Sequence, residues 1–187
     1  VIRWSQKPAK RIGEHGFTFV ETFAALGISF VLFSFSVLPL RQAIQGYRLA
    51  ADARAVASQM GLARMRAAAG FTQSQLRVDL TANTFEVDVY DKTTATFQRE
   101  GGVFSLSSGD TFSFGSVTVP AEQQAAIAQS TPITFNSRGV PVDGSGTPTA
   151  TSALYLTDNS GTYWAVSVSA AGQIGLWQYS NGSWIAR

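Results

Sequence analysis

Cysteine is absent from this chain, and its one histidine, His15, stands close to the N-terminus. Zinc sites of Cys/His type, haem ligation by histidine, and Cys/His or Ser/His/Asp nucleophilic machinery all need residues that the rest of the chain lacks. A thiol-free composition suits reducing and oxidising compartments alike. Charge is also sparse: Asp, Glu, Lys and Arg make up 14% of the 187 residues, against 45% hydrophobic. Of the fourteen basic and twelve acidic residues, Arg3, Lys7, Lys10, Arg11 and Glu14 fall within residues 1–16, leaving ten basic against eleven acidic. Beyond that leader there is no broad cationic footprint for nucleic acid. The composition points away from an enzyme, and neither a cofactor, a metal nor a small-molecule substrate is expected.

Long apolar runs are what the chain does have. From Phe17 to Leu40 the only charged residue is Glu21. A helix of that length rises about 36 Å, against about 30 Å for a hydrocarbon core, so residues 17–40 are expected to span a membrane. The basic residues ahead of the run would hold the leader on the cytoplasmic side. The expected topology is therefore a single crossing, with the leader inside and the C-terminal domain outside. A conventional secretory signal would end in a small-x-small cleavage site. Ser34-Phe35-Ser36 is a poor one, and the helical pattern continues well past it. Glu21 needs a reason: an acidic residue at a bilayer centre costs roughly 2.5 to 3.5 kcal/mol, less near the end of a segment. It could snorkel to the headgroups or sit in the first helical turn, where a carboxylate is favoured.

The stretch Gly16-Phe17-Thr18-Phe19-Val20-Glu21 resembles the processing site of type IV prepilins and type II secretion pseudopilins. That resemblance implies cleavage after Gly16 by a membrane-bound prepilin peptidase and N-methylation of the new terminal residue, Phe17. A small residue at Gly16 lets a protease approach the backbone closely. The cut would leave the apolar segment attached to the product and create an amine at Phe17, which a carboxylate could neutralise in an apolar interior. The family pairs that terminus with the glutamate of a neighbouring subunit, so Phe17 and Glu21 are the expected assembly residues.

Beyond the apolar run, Leu49, Ala53, Val56, Met60, Ala63 and Ala67 recur at spacings of three and four, one face of a helix. Residues 41–69 are read as the amphipathic half of one helix running from Phe17 to Ala69, with Pro39 as a kink and Gly70 as its stop. Met60 and Met65 are both expected in the core. After Gly70 the period falls to two, as in Phe85, Val87 and Val89 against Glu86, Asp88 and Tyr90. Further strands are expected over Leu76–Leu80, Thr94–Arg99, Val103–Leu106, Thr111–Val119, Ile133–Phe135, Ala153–Leu156, Tyr163–Ser169 and Ile174–Tyr179. Turns are expected at Gly101-Gly102, Ala171-Gly172 and Asn181-Gly182. Pro120–Gln129 reads as a short helix and 138–152 as a surface loop. The expected fold is α+β: a long N-terminal helix, membrane-spanning in its first half, on an antiparallel β-rich domain over 70–187.

The domain extends the resemblance. Ala63-Arg64-Met65-Arg66-Ala67, Ile133-Thr134-Phe135-Asn136-Ser137-Arg138-Gly139 and Val166-Ser167-Val168-Ser169-Ala170-Ala171-Gly172-Gln173-Ile174 look like the GspH/FimT group of minor pilins and pseudopilins. The implied function is a minor pilin or pseudopilin subunit of a type IV pilus or type II secretion filament. Its implied partners are the prepilin peptidase, other pilin or pseudopilin subunits and, before assembly, the bacterial inner membrane, which the resemblance implies is crossed once with the domain periplasmic or outside. Some FimT-like proteins bind DNA through a basic C-terminal region, but here Asn181–Arg187 carries one cation, which weakens DNA as a partner. The alternative from another class is a monomeric membrane-anchored binding domain, an adhesin or DNA-capture module. Asp143-Gly144-Ser145-Gly146 reads as a solvated turn, and Glu86 and Asp88 as solvated acids. Of the aromatics Trp164, Trp177, Trp184, Tyr155, Tyr163 and Tyr179, at least part is expected in the core.

Overall fold

The computed structural model describes residues 18–158 and 160–187, and at 36–43 the backbone only. The basic leader and the proposed processing residues Gly16 and Phe17 lie outside the described residues. The chain divides into two compact units, Val1–Gln42 and Ala43–Arg187. One α-helix, α1 (Phe19–Ala69), contributes to both.

In the first unit the described residues are helical from Phe19 onward, and the side chains from Thr18 through Phe35 are exposed. No helix among the described residues is long and apolar enough to cross a membrane. This corrects two expectations: a membrane-spanning first half of the helix, and an inner-membrane, single-pass location. The physical reason lies in interruption: a spanning helix takes about 20 consecutive, predominantly apolar residues, and the described stretch is broken by the polar side chains of Glu21, Thr22, Ser29 and Ser34.

In the second unit the rest of α1 lies against antiparallel strands. The predicted stripe is its buried face: Leu49, Ala53, Val56, Met60, Ala63 and Ala67 are all solvent-inaccessible. Met65 departs from expectation and is exposed, because it falls off that stripe. Strands β1 (Ser74–Asp79), β2 (Thr84–Asp91), β3 (Thr96–Ser105), β4 (Ile133–Phe135) and β5 (Pro141–Val142) form one sheet in the order β3-β2-β1-β4-β5. Strands β6 (Ser152–Thr157), β7 (Tyr163–Val168), β8 (Ile174–Ser180) and β9 (Ser183–Ala186) form a four-stranded meander. Leu76, Val78, Phe85, Val87, Ile133 and Phe135 from the first sheet join Leu154, Leu156, Trp164, Val166 and Val168 from the second in one core with the α1 stripe.

Gly101-Gly102 is not a turn. β3 runs through it as a single strand, with Gly101 at φ 89° and a register shift opposite Phe85 and Val87, so the glycines accommodate a bulge. Thr111–Val119 forms no strand beyond the isolated bridge from Thr111 to Thr157, and Pro120–Gln129 is not helical. Tertiary packing overrides local preference there. Phe114, Ala121 and Ile127 cover the outer face of the second sheet, against Ala153, Tyr155 and Ala165. The same segment closes the free edge of β6. Gln129 donates from Nε2 to Tyr155 O (2.8 Å) and accepts from Tyr155 N at Oε1 (2.8 Å), Ser130 N donates to Ala153 O (2.9 Å), and Thr111 and Thr157 exchange both backbone bonds.

Candidate functional site

Two features of the described chain are open to function: the start of α1 and the buried acids of the β-rich unit. At the helix start, Thr18 and Glu21 form a reciprocal cap. Glu21 N donates to Thr18 Oγ1 (3.3 Å), while Thr18 N and Oγ1 donate to Glu21 Oε2 (3.0 and 3.1 Å). This is a capping box, which satisfies backbone donors that the first turn of a helix leaves unpaired. The hydrogen bond from the Thr18 backbone, then that from its hydroxyl, holds the Glu21 carboxyl below its usual range. Thr18 was missed as a partner in the sequence reading, although a Thr three residues ahead of a Glu at the head of an apolar run is a recognisable signal. Among the described residues only Oε2 is engaged, and Oε1 has no partner there.

The segment that follows presents apolar atoms on every side. Phe19, Phe30, Phe33 and Phe35 are each more than 70% exposed, and Val20, Phe23, Ile28, Val31 and Leu32 are exposed as well. Its polar atoms are turned inward: Ser29 Oγ donates to Ala25 O (2.7 Å) and Ser34 Oγ to Phe30 O (2.8 Å), so neither hydroxyl seeks solvent. Phe19 and Phe23, one turn apart, hold ring centroids 5.0 Å apart, and Leu26, Ser29, Phe30 and Phe33 border a wholly apolar groove of about 280 Å³. Soluble monomers rarely leave so large a contiguous apolar surface uncovered.

Glu86 and Asp88 depart from the solvated reading. Both are buried on β2, beneath half-exposed arginines of the flanking strands. Arg77 pairs with Glu86 and, through Nε, with Asp88 at 3.3 Å, Arg99 pairs with Glu86, and Gln75 Nε2 donates to Asp88 Oδ2 at 2.9 Å. The strand register sets this up, placing Arg77 opposite Glu86, and Asp88 between Gln75 and Arg99. Each charge is compensated, and the arrangement serves packing. Asp110 differs in its acidic neighbours: it is buried, its Oδ2, like Asp88 Oδ1, has no hydrogen-bond partner among the described residues, and burial, the Asp52 carboxyl and the Asp158 charge push its own carboxyl up to about 7, with Arg48 opposing. Asp52, on α1, accepts from Ser107 N (2.6 Å) and Ser107 Oγ (3.1 Å). Among the described residues no group of three or more His, Cys, Asp or Glu is placed to hold a metal ion. Asp143 Oδ1 accepts from the backbones of Ser145 and Thr147, making 143–147 an exposed turn.

A long N-terminal helix, apolar and bare at its start and buried by antiparallel sheets in its second half, defines a pilin-like fold. Among solved structures, that of the minor pseudopilin EpsH from the type 2 secretion system of Vibrio cholerae is similar, with a TM-score of 0.50 and 14% identity over 73% of this chain and 99% of that one. Another crystal structure of the same minor pseudopilin aligns with a TM-score of 0.46 and 15% identity, over 69% and 92% of the respective chains. Neither a family model nor a curated protein sequence matches the chain. At this identity the likeness is one of fold.

Proposed function

We propose that the chain is a minor pilin or pseudopilin, a filament subunit that assembles through the first part of α1. The observation that carries the proposal is the fully exposed apolar segment Phe19–Phe35, which requires a covering of the same character. Copies of equivalent helices supply one. In this reading a prepilin peptidase cuts after Gly16 and methylates Phe17, and the new amine meets Glu21 of a neighbouring subunit. The cap uses Oε2 of Glu21 and, among the described residues, leaves Oε1 for that amine, while the bonds from Thr18 favour the ionised carboxylate the pairing needs.

Mass analysis of the N-terminus, with and without prepilin peptidase, tests maturation: a chain starting at methylated Phe17 is expected only when the enzyme is present. An intact leader, or a cut near Ser36, would overturn it. Assembly is tested by crosslinking through the helix and by two variants. Glu21→Gln keeps a side chain able to complete the capping box but removes the charge, whereas Thr18→Ala removes the cap and keeps the charge. Incorporation should fall at least tenfold in Glu21→Gln and much less in Thr18→Ala, about a tenfold change per 1.4 kcal/mol of lost pairing. Wild-type incorporation of Glu21→Gln would sink the pairing, and a subunit that crosslinks to no pilin-like partner would favour the monomeric binding domain.

A further inference from the structure

The outer face of the second sheet carries an open depression of about 400 Å³ beside the β8–β9 hairpin, bordered by Val119, Pro120, Glu122, Gln123, Trp177 and Trp184. Both indoles are fixed from behind. Trp177 Nε1 donates to Ser167 Oγ (2.8 Å) and Trp184 Nε1 to Val119 O (2.8 Å), so their polar edges are occupied within the fold. Trp184 is further braced by the rings of Tyr155 and Tyr179, at 5.6 and 5.1 Å. Bordering the same depression is the half-buried Glu122, whose Oε2 accepts from Ser167 Oγ and whose Oε1 has no partner among the described residues. Glu122 adopts φ 53°, a left-handed backbone rarely taken by a residue other than Gly, Asn or Asp and one that surrounding structure must enforce. The ion pairs of the described residues join Arg66 to Glu100, and Arg77 and Arg99 to Glu86 and Asp88. No cation answers Glu122 among the described residues.

We infer that this depression is a recognition pocket for a basic side chain of a partner polypeptide, arginine before lysine. A carboxylate with one open oxygen, sharing a depression with two immobilised indoles, offers an ionic partner together with aromatic rings that attract a cation. A guanidinium suits it better than an ammonium, because it is planar, weakly hydrated and stacks on aromatic rings while hydrogen bonding at its edge. The shallow, open form fits a side chain offered from another protein surface rather than an engulfed small molecule. The inference does not depend on how the chain assembles.

The test uses the full chain in mild detergent, titrated with acetyl-arginine methylamide and followed by tryptophan fluorescence. The lysine and glutamine analogues and a neutral disaccharide serve as comparison probes. Saturable arginine binding is expected, with Kd on the order of millimolar and weakened by added salt. Glu122→Gln retains an acceptor for Ser167 and should weaken arginine binding about tenfold at unchanged melting temperature. Gln123→Lys, which places a tethered cation beside the carboxylate on an exposed position, should weaken it as well and serves if Glu122→Gln does not fold. Equal binding of the glutamine analogue or the disaccharide, an unchanged Kd in the variants, or no saturation by about 50 mM arginine probe would overturn the inference.

Discussion

Asp110 is 6% exposed and sits where Asp52 and Asp158 both repel its ionised form, while the Arg48 charge acts in the opposite sense. Its carboxyl is raised from 3.8 to about 7 by burial first and by Asp52 second. The folded state therefore holds the proton more tightly than the unfolded chain does. Between pH 3.8 and about 7 the folded chain binds more protons, so this residue's contribution to stability is complete below the lower value and is lost as pH rises through the upper one. Asp110→Asn removes the titration and should melt higher than wild type at pH 8, by roughly 2–4 °C per kcal/mol, with the gap closing towards pH 4. Thermal melts across that range check it, and a gap that is constant with pH would refute the assignment. Burial of this kind was not legible in the sequence, because Asp110 follows Gly109 in what reads as a surface turn and gains its neighbours from α1 and from the end of β6. Glu21 stood out at once as the single charge in an apolar run, whereas its cap was missed although the spacing to Thr18 carried the signal.

At the scale of elements, the α1 stripe from Leu49 to Ala67 and the alternation of β2 were legible, because periodicity records which face is buried. Segment 111–130 was not, since its role is to close another element. Gln129 replaces a strand neighbour on β6, bonding both backbone groups of the fully buried Tyr155. Gln129→Ala leaves those groups unpaired and should destabilise the domain by about 2 kcal/mol. Urea unfolding and faster amide exchange at Tyr155 are the measurements, and unchanged exchange would show that the edge does not depend on this side chain. The acids of β2 were misjudged because alternation reports a face, not what covers it. Arg77 and Arg99 arrive from flanking strands to cover Glu86 and Asp88. Arg77→Met keeps the covering stem but strips the charge, and should cost about 3 kcal/mol by leaving buried carboxylate uncompensated. Met60→Ala, which opens a cavity under α1, falls in the range of about 2–5 kcal/mol. An exposed-site cost of about 0.5 kcal/mol would show for Arg77 that the acids do not depend on its charge, and for Met60 that its site collapses without a cavity.

Across the whole molecule, the apolar surface is divided unequally between the two units. In Ala43–Arg187 the core is enclosed, with only scattered side chains such as Tyr47, Met65 and Phe71 exposed: α1 from Leu49 to Ala67 and both sheets share one core, and segment 111–130 covers the far face of the second sheet. In the described part of Val1–Gln42 the apolar surface is bare from Phe19 to Phe35. A unit that encloses its own core should fold cooperatively without the other, whereas a bare apolar helix gains by association in proportion to the area it removes from water, about 25 cal/mol per Å². A fragment beginning at Ala43 is therefore expected to be monomeric in plain buffer and to unfold in one transition. The longer chain should self-associate unless detergent covers Phe19–Phe35. Replacing Phe30 and Phe33, which border the apolar groove, with Ser should return it towards monomer without moving the transition of the domain. Light scattering and calorimetry on the two chains and the double variant read both properties separately. Association that persists in the Ala43 fragment would place the contact on the β-rich unit instead, and would remove the observation on which assembly through the helix rests.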